Sequence, residues 1–130
     1  AATLCIFFVR SDSIFRIAML ELACVVESVA HPWDKVSRAT CRLEGGEAVL
    51  LEHHSGLLRL AAGERVRLVV ANGTPGLELA YVMNGQVAQI RSGVCTISCG
   101  GLLVQLPFVD SPDLDLRLKQ RIQVGVSKEA

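Results

Sequence analysis

The chain reads as all-β: one antiparallel barrel, closed or nearly closed, of about eight to nine short strands. Three observations predict it. Apolar and polar residues alternate with period two in segment after segment, as half-buried strands require. Glycine-rich turns punctuate those segments at short, even intervals. No stretch of helical length carries a 3.6-residue apolar period, so the crossover helices of a parallel sheet are excluded. Closure follows because an open sheet of so many strands would leave edges free to aggregate.

The clearest element is Cys95–Leu106, which reads as a hairpin around Gly100-Gly101. Cys95, Ile97 and Cys99 then fall opposite Leu106, Val104 and Leu102 on one face. Thr96 and Ser98 fall opposite Gln105 and Leu103 on the other. A type I′ turn needs positive φ at both central residues, which glycine supplies without a steric penalty. Gly101→Val is therefore expected to destabilise the barrel more than an ordinary surface change.

The remaining elements are read in chain order. Leu20, Leu22, Cys24 and Val26 alternate with Glu21, Ala23, Val25 and Glu27 in the first clean strand, and Pro32 interrupts it. Val36–Leu43 points Ser37, Ala39, Cys41 and Leu43 inward, with Arg38, Thr40 and Arg42 outward. Gly45-Gly46 turns the chain into Ala48–His53. A short strand is expected at Leu57–Leu60. In Arg65–Ala71, Val66, Leu68 and Val70 point in while Arg65 and Arg67 point out. A second two-residue hairpin is expected at Asn84-Gly85, the strongest short hairpin signal, joining Leu79–Met83 to Gln86–Ile90. It would place Leu79, Tyr81, Met83, Ala88 and Ile90 on one face and set Val82 against Val87 on the other. Pro107–Leu116 is irregular, and Ile122, Val124 and Val126 form a closing strand. An OB-like barrel is the leading version of this pattern. An immunoglobulin-like sandwich is the alternative, although its Cys…Trp…Cys spacing is absent.

Residues 1–18 read differently. Leu4–Val9 is an apolar run too short to span a bilayer, without the basic flank of a secretory signal. The expectation is an extension over 1–18, with Met19 as the natural start and the barrel domain at 19–130.

Composition narrows the function. Lys plus Arg and Asp plus Glu number 13 each, so the formal charge is zero, which argues against a protein built chiefly to grip nucleic acid. Hydrophobic residues make up 51 % of the chain, an excess that implies either core or covered partner surface. The five cysteines include no C-x-x-C pair and read as small hydrophobes of a reduced protein.

Chemistry is hard to find. There is no G-x-S-x-G, P-loop or H-E-x-x-H. His53-His54 point to opposite faces of a strand and cannot readily share a metal; they read as a surface pair. Trp33 reads as a lid over one barrel end. Arg38, Arg42, Arg65 and Arg67 hold outward positions on two strands and would form a basic stripe if those strands were neighbours. Glu44, Glu47, Glu52 and Glu64 flank them and favour a solvated or protein-binding face over a phosphate-binding one. Stacking of single-stranded bases needs aromatic faces, of which this chain has almost none to spare.

Four motifs then occur in order: Asp34-Lys35-Val36-Ser37-Arg38, Gly63–Ala71, Tyr81-Val82-Met83-Asn84-Gly85-Gln86-Val87, and Gly100-Gly101-Leu102-Leu103-Val104-Gln105-Leu106. Together they resemble the eighth subunit of eukaryotic nuclear RNA polymerases, the small subunit common to polymerases I, II and III. The resemblance runs from about Leu20 to Lys128. It implies an OB-like barrel that is not catalytic, carries no cofactor, docks on the largest polymerase subunit in the nucleoplasm and nucleolus, and helps assembly. Nucleic-acid contact would be weak or indirect, with no membrane and no small-molecule substrate. The family's motif positions fall on Val36, Ser37, Arg38, Tyr81, Val82, Met83, Gly85, Gly100, Gly101, Leu102 and Leu103, partly core and partly candidate interface. The chain departs from the family in its neutral charge and in the short Asn72–Glu78 segment that stands where the family has a long polar loop. The alternative reading is a free-standing OB module that binds single-stranded nucleic acid; a small-ligand-binding barrel is more distant.

Overall fold

Gly100 and Gly101 take φ of 61° and 97°, and the strands they join keep the expected register from Cys95↔Leu106 to Cys99↔Leu102. This hairpin belongs to a computed structural model that describes residues 3–9, 16–74, 77–108 and 114–129, with side chains from Ala18 onward. Nine strands are described: β1 Thr3–Val9, β2 Arg16–Trp33, β3 Val36–Leu43, β4 Ala48–His54, β5 Arg65–Ala71, β6 Tyr81–Arg91, β7 Val94–Cys99, β8 Leu102–Leu106 and β9 Arg121–Lys128. No helix occurs among the described residues.

Every neighbouring pair is antiparallel, and the order β2-β3-β4-β8-β7-β6-β9-β5 returns to β2. The result is a closed eight-stranded barrel. β2 makes closure possible because it runs for 18 residues. Met19–Val25 pairs with β5 on one edge, while Cys24–Trp33 pairs with β3 on the other. β1 pairs with Arg16–Leu22 on the β3 side and so lies outside the ring. The expectation of an extension up to residue 18 falls partly on residues whose structure is not described. What is described there is the β1 backbone on β2.

Alternation puts the predicted residues inside. Leu20, Leu22, Cys24, Val26, Ala39, Cys41, Leu43, Val66, Leu68, Val70, Ile122, Val124 and Val126 form one buried cluster with Cys95, Ile97, Val104 and Leu106. A smaller cluster lies outside the wall, where Leu77 and Leu79 pack over Met19, Val69 and Ala71.

Three expectations are corrected. Asn84-Gly85 is not a hairpin: β6 runs straight through it, and the turn falls at Ser92-Gly93, both at positive φ. One unbroken strand keeps Tyr81, Met83 and Val87 on the buried face, so Val87 points in rather than out, and Leu79 lies in the preceding segment. A bulge between Val87 and Gln89 then resets the alternation. Second, Leu57–Leu60 is not a strand: Leu58 and Leu60 turn into the core while Leu57 is exposed. Third, Pro32 does not end its strand. It sits in an irregularity between Ala30 and Trp33, where a missing N–H is tolerated.

A Cβ at Gly101 would meet nothing within 4 Å. Gly101→Val is therefore expected to lower stability through backbone conformation alone, by about 1–2 kcal/mol. An unchanged melting temperature would contradict the strained turn.

Candidate partner interface

The predicted interface residues divide by the face their register gives them. Ser37, Tyr81 and Met83 are buried, Val36, Arg38 and Leu102 are half-buried, and Val82 and Leu103 are exposed on the outer wall. Gly100 and Gly101 form the tip of the β7–β8 hairpin, and Gly85 lies where β6 changes partners. The structure thus sets Val82 and Gly85 on β6 and Leu102 and Leu103 on β8, with β7 between the two strands.

A break in the wall follows from the ladders. β6 pairs with β9 over Tyr81–Gln86 and with β7 only over Gln86–Arg91. The β7-facing edge of Tyr81–Gly85 therefore has no ladder partner among the described residues. On the opposite side, β4 and β8 share only Leu50↔Gln105 and Leu51↔Val104. Two side chains bridge what the ladder leaves open. Glu52 Oε1 accepts the Leu103 N–H at 2.8 Å, and the Tyr81 hydroxyl accepts the His54 N–H at 3.0 Å.

Glu52 is 3 % exposed although it points outward. Its other oxygen accepts from Arg38 Nη2 at 2.6 Å and Nε at 3.0 Å. Such charge-assisted, forked contacts are stronger than neutral ones. Arg38 in turn lies 5.9 Å from the Trp33 ring centroid, within cation–π range. Trp33 is not the expected lid: it stands 62 % exposed on the wall, and Leu58 and Leu60 fill the interior.

The basic stripe does not form as one run. β2 lies between β3 and β5, so Val25 stands opposite Arg42 on one side and Arg65 on the other. Arg38 pairs with Glu52, Arg42 with Glu27, and Arg67 with Glu21 at 3.8 Å. Only Arg65 of the four lacks an ion pair among the described residues.

His53 is the residue that sequence reasoning misplaced. It is fully buried, edge-on to Tyr81 at 6.3 Å, opposite Ser37 across the β3–β4 ladder. His54 is half-buried on the other face. The signal was present in parity, since Val49, Leu51 and His53 share one face of β4. Ser37 Oγ hydrogen-bonds His31 Nδ1 at 3.0 Å, and neither ring nitrogen of His53 has a partner among the described residues. Burial holds the His53 imidazole below its ordinary pKa. Stability from this group is therefore full above about pH 6.5 and is lost as pH falls through the depressed native value, because the unfolded chain takes up the proton first. His53→Leu is expected to flatten that part of the stability–pH profile and to leave neutral-pH stability equal or higher, since it removes unsatisfied polar atoms. A profile as steep as the wild type's would assign the acid sensitivity to other groups.

Cys24, Cys41, Cys95 and Cys99 are free and buried. Burial lifts Cys95 and Cys99 to about 11, which keeps them protonated and unreactive. No group of three or more His, Cys, Asp or Glu able to hold a metal occurs among the described residues. A depression of about 430 Å³ at the His31–Ser37 end is lined partly by Leu58 and Leu60. No protein-family model matches the chain, and no curated protein matches it in sequence.

Proposed function

We propose that the chain is a non-catalytic structural subunit common to the nuclear DNA-directed RNA polymerases I, II and III, docking on the largest subunit and supporting its assembly. The four ordered motifs support the family reading. The observation that carries the docking mechanism is the break in the barrel wall. There the unpaired edge of Tyr81–Gly85 offers backbone hydrogen bonds to an added segment, and Val82, 45 % exposed on the same strand, offers apolar contact. Ion pairs occupy Arg38, Arg42 and Arg67, three of the four arginines of the expected basic stripe.

The test is affinity purification of the tagged chain from its own cells at moderate salt. The expected result is near-stoichiometric recovery of the two large polymerase subunits, with largest subunits of all three types if the subunit is common to them. Val82→Lys should reduce that recovery while leaving the barrel folded, because it places an unpaired charge in a buried contact. Recovery of nucleic acid without polymerase would overturn the reading in favour of a free OB module.

A further inference from the structure

A groove of about 630 Å³ lies on the outer wall where β6 passes from β9 to β7. Gly85 is part of it. Its polar rim comes from the segment after β5 and from three strands, through Asn72, Asn84, Ser98, Arg121 and Gln123. No carboxylate lines it among the described residues.

Hydrogen bonding within the fold fixes which way the Asn72 amide faces and pairs the Asn84 amide with that of Gln123. The Ala18 N–H can only donate, so the Asn72 atom that it meets at 2.9 Å is the side-chain oxygen. Asn84 Oδ1 accepts from Gln123 Nε2 at 2.8 Å. With its oxygen engaged, Asn72 is left with Nδ2 to donate, and whichever way the Asn84–Gln123 pair is oriented, at least one amide N–H of Asn84 stays free of it. Ser98 adds a hydroxyl. Arg121 adds a guanidinium that has no ion pair among the described residues. The wall therefore presents donors and one positive charge, without a competing acid among the described residues. Its complement is an oxygen-rich anion.

We propose that this groove binds a short acidic segment of a protein partner. Arg121 takes a Glu or Asp carboxylate through its forked N–H groups, and the two Asn side chains donate to the same carboxylate or to peptide carbonyls. Carboxylates fit better than a nucleic-acid strand, which requires several cations along its backbone and aromatic faces for its bases. Among the described residues the groove supplies one arginine and no aromatic ring. The inference rests on this donor set and not on the polymerase reading.

The probe is a fluorescein-labelled peptide of alternating Glu and Val, read by anisotropy on the full chain at physiological salt. A Gln–Val peptide and a labelled oligothymidylate serve as comparisons. The expected result is binding of the Glu–Val peptide, about tenfold weaker binding of the Gln–Val peptide, and about tenfold weakening by Arg121→Gln or Asn84→Leu. Arg42→Gln, away from the groove, should change nothing. Arg121 is exposed, so Arg121→Gln keeps the test open if Asn84→Leu unfolds the strand. Equal binding of the two peptides, tighter binding of oligothymidylate, or indifference to Arg121→Gln would each overturn the proposal. Polymerase recovery by the wild-type chain is scored separately, so loss of the groove and loss of the polymerase reading are told apart.

Discussion

Glu52→Ala is expected to lower the unfolding free energy by about 2–3 kcal/mol. The β4–β8 seam has two paired positions, and Glu52 extends it by accepting the Leu103 N–H while holding Arg38. Truncation removes both contacts at once and leaves the Leu103 N–H without its acceptor. Arg38 is 37 % exposed at its side chain and can turn to water, which keeps the loss below that of a fully buried pair. Glu52→Gln retains a carbonyl oxygen for Leu103 and should lose about 1 kcal/mol. Urea denaturation followed by Trp33 fluorescence reads both, since Trp33 is the only tryptophan and lies against Arg38. A midpoint unchanged in Glu52→Ala would show that the seam does not depend on this side chain.

Gly85→Ala is expected to be at least as damaging, at about 2–4 kcal/mol. A Cβ there would stand 2.5 Å from Cys99 Sγ, 2.8 Å from the Ser98 carbonyl oxygen and 2.9 Å from Ile97 Cγ2. The carbonyl is backbone inside a paired strand and cannot step aside, so shrinking Cys99 to alanine should rescue only part of the loss. Gly125→Ala makes a useful contrast. Its Cβ would run into the terminal methyl of Leu79, which can rotate, and a loss of about 1 kcal/mol or less is expected. Equal melting temperatures for Gly85→Ala and wild type would mean that β6 and β7 are not held so close.

The same glycine explains where sequence reading failed. A two-residue turn and a close strand crossing both demand a residue without a side chain, and Asn84 beside it completes the appearance of a turn. The difference lies in Cys99 and Ser98, whose nearness depends on the ring order of the strands. Gly100-Gly101 was legible because period-two alternation on both arms independently fixed the register. Leu57–Leu60 misled because a short apolar run looks alike whether it extends a sheet or folds into the end of a barrel. Arg38 and Glu52 were both readable as outward residues, yet their pairing required knowing that β3 and β4 align Arg38 with Glu52. The stripe of arginines failed for the same reason in reverse, since β2 separates the two strands that carry it.

The place of β9 sets the order in which the molecule can be built. This last strand lies between β5 and β6, pairing Val66–Ala71 on one side and Tyr81–Gln86 on the other. Until it arrives, β5 and β6 have no common neighbour and the ring cannot shut. A nascent chain that lacks Arg121–Lys128 therefore carries two bare strand edges flanking a half-made apolar interior. Such long-range closure slows folding and exposes the intermediate to self-association. During synthesis, the barrel is a structure completed by its final strand, and a chaperone or an early-binding partner would find its substrate in the interval before that strand emerges.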